Sequence, residues 1–242
     1  MSRVYADNVY PELVTEDLTL GASGDSVVVT SGASLNVNTL KDSGGNTIFT
    51  SNGSGVLSSV NSAFSGGPTL ITTETADDDT TVDFTSSIDS TYKLYIFKWY
   101  DVNPATDGAI LGFQGNASGE SGYNETITST MITAQQRESD GDGAVSYTLA
   151  GDQGNGTALQ QVSREPGGDA DQSTVGTLWL FNPSSTTYVK HFYVTDQEAF
   201  QGDYTMNVFV SGYFNVTAAI TNIQFKFSSG NITAGTFKMY GL

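Results

Sequence analysis

A chain of 242 residues with 26 acidic and nine basic side chains carries a formal charge of −17 and has no cysteine. This excludes a disulfide framework or a thiolate metal site, and it argues against a phosphate-backbone partner, which needs clustered lysine and arginine. The hydrophobic content of 38 %, with 13 Phe and 12 Tyr, can fill a core, while no apolar run approaches a membrane span and the first residues lack the pattern of a signal peptide.

In chain order, residues 1–17 are mixed and have no core of their own. Tyr5, Tyr10 and Pro11 read as an anchor laid on a partner surface, because amphipathic tyrosine is enriched at interfaces. Residues 18–66 then form short apolar pairs, Leu18/Leu20, Val27/Val29, Leu35/Val37, Ile48/Phe49 and Val56/Leu57, separated by turn sequences such as Asp42-Ser43-Gly44-Gly45-Asn46. Gly21-Ala22-Ser23 recurs as Gly32-Ala33-Ser34. Such a ribbon is too thin to bury a core alone and needs a flanking domain or copies of itself. Ser65-Gly66-Gly67-Pro68 reads as a linker, which divides the chain into an arm and short β-ribbon over 1–66 and a β-sandwich over 67–242.

The larger domain reads as about ten strands joined by short turns, which suits a sandwich or jelly roll. Strands are expected at Thr69–Thr75, Thr80–Phe84, Tyr92–Tyr100, Ala109–Phe113, Thr126–Thr133 and Ala144–Leu149. Further strands are expected at Thr177–Phe181, Tyr188–Val194, Tyr204–Val210 and Gly212–Ala219. Polar, Gly- and Asp-rich sequence over Gln135–Ser173 predicts long exposed loops. Ile220–Phe227 and Ile232–Leu242, with Ser228-Ser229-Gly230-Asn231 between them, predict a closing hairpin that ends inside the sheet. Tyr92–Tyr100 is apolar on both faces, so the strand is expected to be central, or covered on its outer face by a loop or a neighbouring chain. A subunit contact is expected there, through Tyr95, Phe97 and Trp99, or at the ribbon, through Val27, Val29, Leu35 and Val37.

No catalytic constellation is present. His191 is the single histidine, so neither a zinc site nor a triad can be built on it, and a structural or surface role is expected. Asp140-Gly141-Asp142 resembles the start of a calcium loop but lacks its later ligands and closing Glu; no metal and no cofactor are expected. The glutamates of the Gly-rich loops form no marked pair, so no glycosidase is expected. For a binding role, the candidates are Tyr123 and Tyr147 with the acidic loops at Asp140 and Asp169.

Three stretches resemble a known family. Leu40-Lys41-Asp42-Ser43-Gly44-Gly45-Asn46-Thr47-Ile48-Phe49, Asn103-Pro104-Ala105-Thr106-Asp107-Gly108-Ala109 and the closing Phe225–Ile232 with Met239-Tyr240-Gly241-Leu242 are similar, in this order, to segments of tail-fibre-like and capsid-decoration proteins of marine tailed bacteriophages. Leu178-Trp179-Leu180-Phe181-Asn182-Pro183 fits the same pattern. The resemblance implies a virion structural protein with a jelly-roll-like domain, without enzymatic activity, acting as a homotrimer among other virion proteins. Tail appendage and capsid decoration both stay open, and a host-surface glycan is the alternative partner. Nucleic acid and membrane are not expected as partners. A trimer of so acidic a chain needs an apolar contact with its acids turned away.

Overall fold

The computed structural model describes residues 38–42, 44–51, 53–54, 57–60 and 67–242. The chain divides into two compact units, Met1–Phe64 and Ser65–Leu242. Tyr5, Tyr10, Pro11, Val27, Val29, Leu35 and Val37 lie outside the described residues.

In the first unit, β1 (Thr39–Lys41), β2 (Thr47–Ser51) and β3 (Leu57–Val60) form an antiparallel ribbon in that order. The turn between β1 and β2 is organised by Asp42, whose Oδ1 accepts the amides of Gly44 (2.8 Å) and Asn46 (2.9 Å). This is the local side-chain-to-backbone bonding that makes aspartate a turn former. Leu40, Leu57 and Val60 stay exposed.

The second unit is an all-β sandwich. Its strands are β4 (Thr69–Ala76), β5 (Val82–Phe84), β6 (Leu94–Pro104), β7 (Leu111–Ala117), β8 (Ile127–Arg137), β9 (Ala144–Tyr147) and β10 (Gly154–Gly156). There follow β11 (Gln160–Gln161), β12 (Thr174–Phe181), β13 (Lys190–Phe200), β14 (Tyr204–Phe214), β15 (Ile220–Phe227) and β16 (Ile232–Gly241). The large sheet runs β10-β8-β14-β13-β12-β6-β16-β4, with β9 paired on β8; the small sheet runs β11-β7-β15-β5. Every pairing is antiparallel.

The core lies between the sheets and is aromatic. Phe84 of the small sheet meets Phe97 of the large one at 5.1 Å, Phe113 meets Phe192 at 5.1 Å and Phe225 meets Phe237 at 5.3 Å. Edge-on and tilted contacts of this kind are the favoured aromatic geometry. Gly176 of β12 leaves room for the indole of Trp99: a Cβ there would sit 2.3 Å from Trp99 Cζ2.

Three expectations are corrected. Tyr95, Phe97 and Trp99 are at most 1 % exposed and face the small sheet, so they belong to this chain's own core and not to a subunit contact. Trp99 Nε1 donates to Asp196 at 2.8 Å, and Tyr95 Oη accepts the Asp89 amide at 2.9 Å; the inward row is the one whose polar tips find partners inside. The closing hairpin is not one. β15 pairs with β7 and β5, whereas β16 pairs with β6 and β4, so the turn between them carries the chain from one sheet to the other. The strands expected at Tyr204–Val210 and Gly212–Ala219 are one: β14 runs unbroken from Tyr204 to Phe214 against both neighbours, and residues 215–219 are not strand.

The stretch read as long exposed loops also differs. Within it Gln160, Val162 and Ser163 are fully buried, and a 3-10 turn at Leu149–Gly151 packs Gly151 against Met131. Gln160 and Gln161 form β11, the edge strand of the small sheet, and Val162 and Ser163 continue along β7 through backbone and side-chain bonds to Leu111.

Candidate functional site

The outer face of the large sheet is built by register. On it Tyr147, Ile132, Phe209, Thr195, Thr177, Lys98, Lys238 and Thr73 stand in one cross-strand row. The next row holds Thr130, Ser211, Tyr193, Trp179, Ile96, Tyr240 and Leu70. A third holds Thr128, Tyr213 and His191, with Phe181 paired to Leu94 farther along. A fourth, beyond Tyr147, holds Val145, Ala134, Asn207, Gln197 and Val175, with Tyr100 and Thr236 on the far strands. Side chains two residues apart share a face, so these rows are one surface.

Its centre is aromatic. Trp179 and Tyr193 stack at 4.4 Å and 22°, and Phe181 stacks on Tyr193 at 5.5 Å and 29°. Lys98 lies 6.0 Å from the Tyr240 ring and Lys238 5.8 Å from the Tyr100 ring. Beside the stack an open groove of about 470 Å³ is lined by Thr128, Thr130, Phe181, His191, Tyr193, Ser211 and Tyr213. The small side chain of Ser211 keeps the groove open, while Gly212 beside it faces inward, where a Cβ would meet the core ring of Phe192 at 2.8 Å.

A second feature is sealed inside. Asp196 and Glu198 alternate on β13 toward the core, each 1 % exposed. Asp196 Oδ1 accepts from Trp99 Nε1 and from the Thr174 hydroxyl, while Oδ2 has no partner. Glu198 accepts the amides of Arg164 (2.9 Å) and Glu165 (3.1 Å). Burial pushes the Glu198 carboxyl up to about 7, against these amides. Burial, and then the Glu198 charge, hold Asp196 well above the usual carboxylate range. Shifted carboxyls often mark active sites. These two are closed to solvent and read as a determinant of stability.

The residues proposed from sequence are dispersed. Tyr147 stands on the outer face, 62 % exposed, its hydroxyl bonded to Asp152. Tyr123 belongs to the opposite side of the sandwich: burial pushes its phenol up to about 12, and the hydroxyl bonds Asp83, which pairs with Gln224 in the small sheet. Asp140 sits at a turn with φ of 65°, and Asp142 pairs with Arg137 at 3.0 Å. Asp169 lies in the loop before β12, its carbonyl accepting from Asn103. Tyr123 and Tyr147 therefore do not share one ligand loop with Asp140 and Asp169. Among the described residues no group of three or more histidine and acidic side chains is placed to hold a metal. His191 is an exposed member of the outer face, 5.8 Å from the Tyr213 ring.

Sequence reading missed the outer-face surface and the buried carboxyl pair. A signal for the first existed: Trp179/Phe181, His191/Tyr193 and Phe209 alternate with the core rows of their strands. Thr195-Asp196-Gln197-Glu198 carries no signal of burial, since its composition is that of an exposed strand. No family model, no curated protein and no solved structure matches the chain.

Proposed function

We propose that the chain is a structural protein of a tailed-bacteriophage virion. Residues 1–66 dock it on the particle and residues 67–242 are displayed outward as a jelly-roll-like sandwich, either as a short tail appendage or as a capsid decoration. The observation that carries this reading is the unlike build of the two units. One contains a slender ribbon whose Leu40, Leu57 and Val60 remain exposed, and the other a sandwich with a full aromatic core. A ribbon with so little to bury gains its order by lying against something else. The sequence resemblance supplies the particle. Binding only to the assembled particle would stabilise that assembly by mass action. The activity proposed is architectural and non-enzymatic, with no cofactor.

The test is quantitative mass spectrometry of purified virions of the phage that encodes the chain, scaled to the major capsid protein. A few to some tens of copies per particle identify an appendage, and hundreds identify a decoration of the shell. Absence from washed virions overturns the reading. A second reading, capture of a host-surface glycan, is favoured by the groove beside Tyr193. The groove brings hydroxyls of Thr130, Ser211 and Tyr213 and the His191 ring together beside an aromatic wall.

A further inference from the structure

The chain has 26 acidic side chains, yet none of the cross-strand rows on the outer face of the large sheet carries one. The charges in those rows are two lysines, Lys98 and Lys238, each near a tyrosine ring. The rest is aromatic, aliphatic, threonine, serine and amide. Exposed large side chains concentrate there: Phe209 is 48 % exposed, Ile132 44 %, Tyr193 41 % and Leu70 51 %. An exposed apolar patch of this breadth is uncommon on a protein that stays alone.

We propose that this face is where a second copy of the chain docks. Charge is the first argument. Two molecules of −17 repel over most approaches, and contact costs least through a face whose cross-strand rows carry no carboxylate, Asp152 meeting it at the edge through the Tyr147 hydroxyl. Composition is the second. Tyr, Trp and Phe at the centre with acids depleted is the make-up of an interface core, whereas aliphatic Ile132, Val145 and Leu70 offer a sugar neither a stacking surface nor a hydrogen bond. Ring geometry is the third, because Trp179, Tyr193 and Phe181 stack on one another and so spend ring faces that a sugar would need. Area is the fourth. Eight strands at about 4.8 Å and four rows about 6.8 Å apart span roughly 700 Å², close to the ~800 Å² per partner of a standard stable interface. The inference stands on the sheet alone and does not depend on the virion reading.

The experiment is sedimentation velocity on the full chain across a concentration series, alone and as the Tyr193→Asp/Phe209→Asp double variant. Wild type is expected to assemble with concentration, and the variant to associate at least about a hundredfold more weakly, as loss of hot-spot side chains at an interface centre does. Its far-ultraviolet circular dichroism is expected to stay unchanged, because both side chains point out of the fold. A second readout needs no variant. The chain has two tryptophans; Trp99 is sealed in the core, so only Trp179 can gain protection from acrylamide quenching as concentration rises, and Trp179→Phe should remove that gain. A wild type that is monomeric throughout overturns the proposal, as does an assembly that the double variant leaves intact. A monomer that binds host polysaccharide also overturns it and gives the face to a glycan.

Discussion

Trp99→Ala is expected to lower the unfolding free energy by about 3–5 kcal/mol, the cost of deleting a fully buried large aromatic. The upper part of that range is expected for two reasons. Trp99 is fully buried, packs 5.7 Å from Phe225 and fills the space that Gly176 leaves, so neighbouring β-strands cannot close the cavity. Its Nε1–H is also one of two donors to Asp196 Oδ1, and the other carboxylate oxygen already lacks a partner. Removing the indole therefore leaves a buried acid more exposed to its desolvation cost. Urea unfolding monitored by circular dichroism reads the effect as a lower midpoint at unchanged slope. Trp99→Phe keeps most of the ring but not the donor, so the loss it retains measures the bond to Asp196. A shift below about 1 kcal/mol for the alanine variant would place the residue outside the core, since such small values belong to surface substitutions.

Stability is expected to fall as pH rises from about 4.5 to above 7. The sign follows from linkage. Burial raises the folded pKa of Glu198 from 4.5 to about 7, so between those values the folded state holds a proton that the unfolded chain releases. The favourable contribution is complete below 4.5 and is lost as pH passes 7. At 1.36 kcal/mol per unit the Glu198 contribution is on the order of 3 kcal/mol, and Asp196, shifted the same way by burial and by Glu198, adds to it. Asp196→Asn is expected to raise stability at pH 8 and leave it nearly unchanged at pH 4.5, because its side-chain oxygen still accepts from Trp99 and Thr174. Glu198→Gln is expected to flatten the pH profile at a lower overall level. Its amide can present only one oxygen to the two backbone N–H groups that the carboxylate accepts from. Repulsion among surface acids has the same sign, but added salt screens it and leaves the buried pair almost untouched. A profile that disappears in high salt would assign the effect to the surface.

The all-β class was legible from alternation alone. Tyr92–Tyr100, Thr177–Phe181 and Ile220–Phe227 each show a period of two, and β6, β12 and β15 lie over them. Turn chemistry was legible as well, at Asp42 and at Ser228–Asn231. What such a turn connects was not. Four residues of Ser, Gly and Asn serve equally to fold a strand back on its neighbour or to carry it to a second sheet, and the choice lies with β4, β6, β5 and β7, the partners of β16 and β15.

The same limit governs the faces. Both rows of β6 are apolar, so sequence cannot say which meets the small sheet. Register decides it, with help from the bulge at Asp101, where φ is 53° and Tyr100 and Asp101 are both exposed before Val102 turns inward. Asp196 and Glu198 have the spacing of any polar strand, and their burial depends on what packs above β13. The outer-face surface is the extreme case. Tyr147, Ile132, Phe209, Thr195, Thr177 and Lys98 come from six strands, and the row is joined into one surface by the distant pairings of β8 with β14 and of β6 with β12. Sequence by itself determined the all-β class and where most of the long strands run, because alternation and turn propensity are local properties of the chain. The tertiary structure alone decided which row is core and which is surface, because burial depends on non-local pairing and on the second sheet laid across one face.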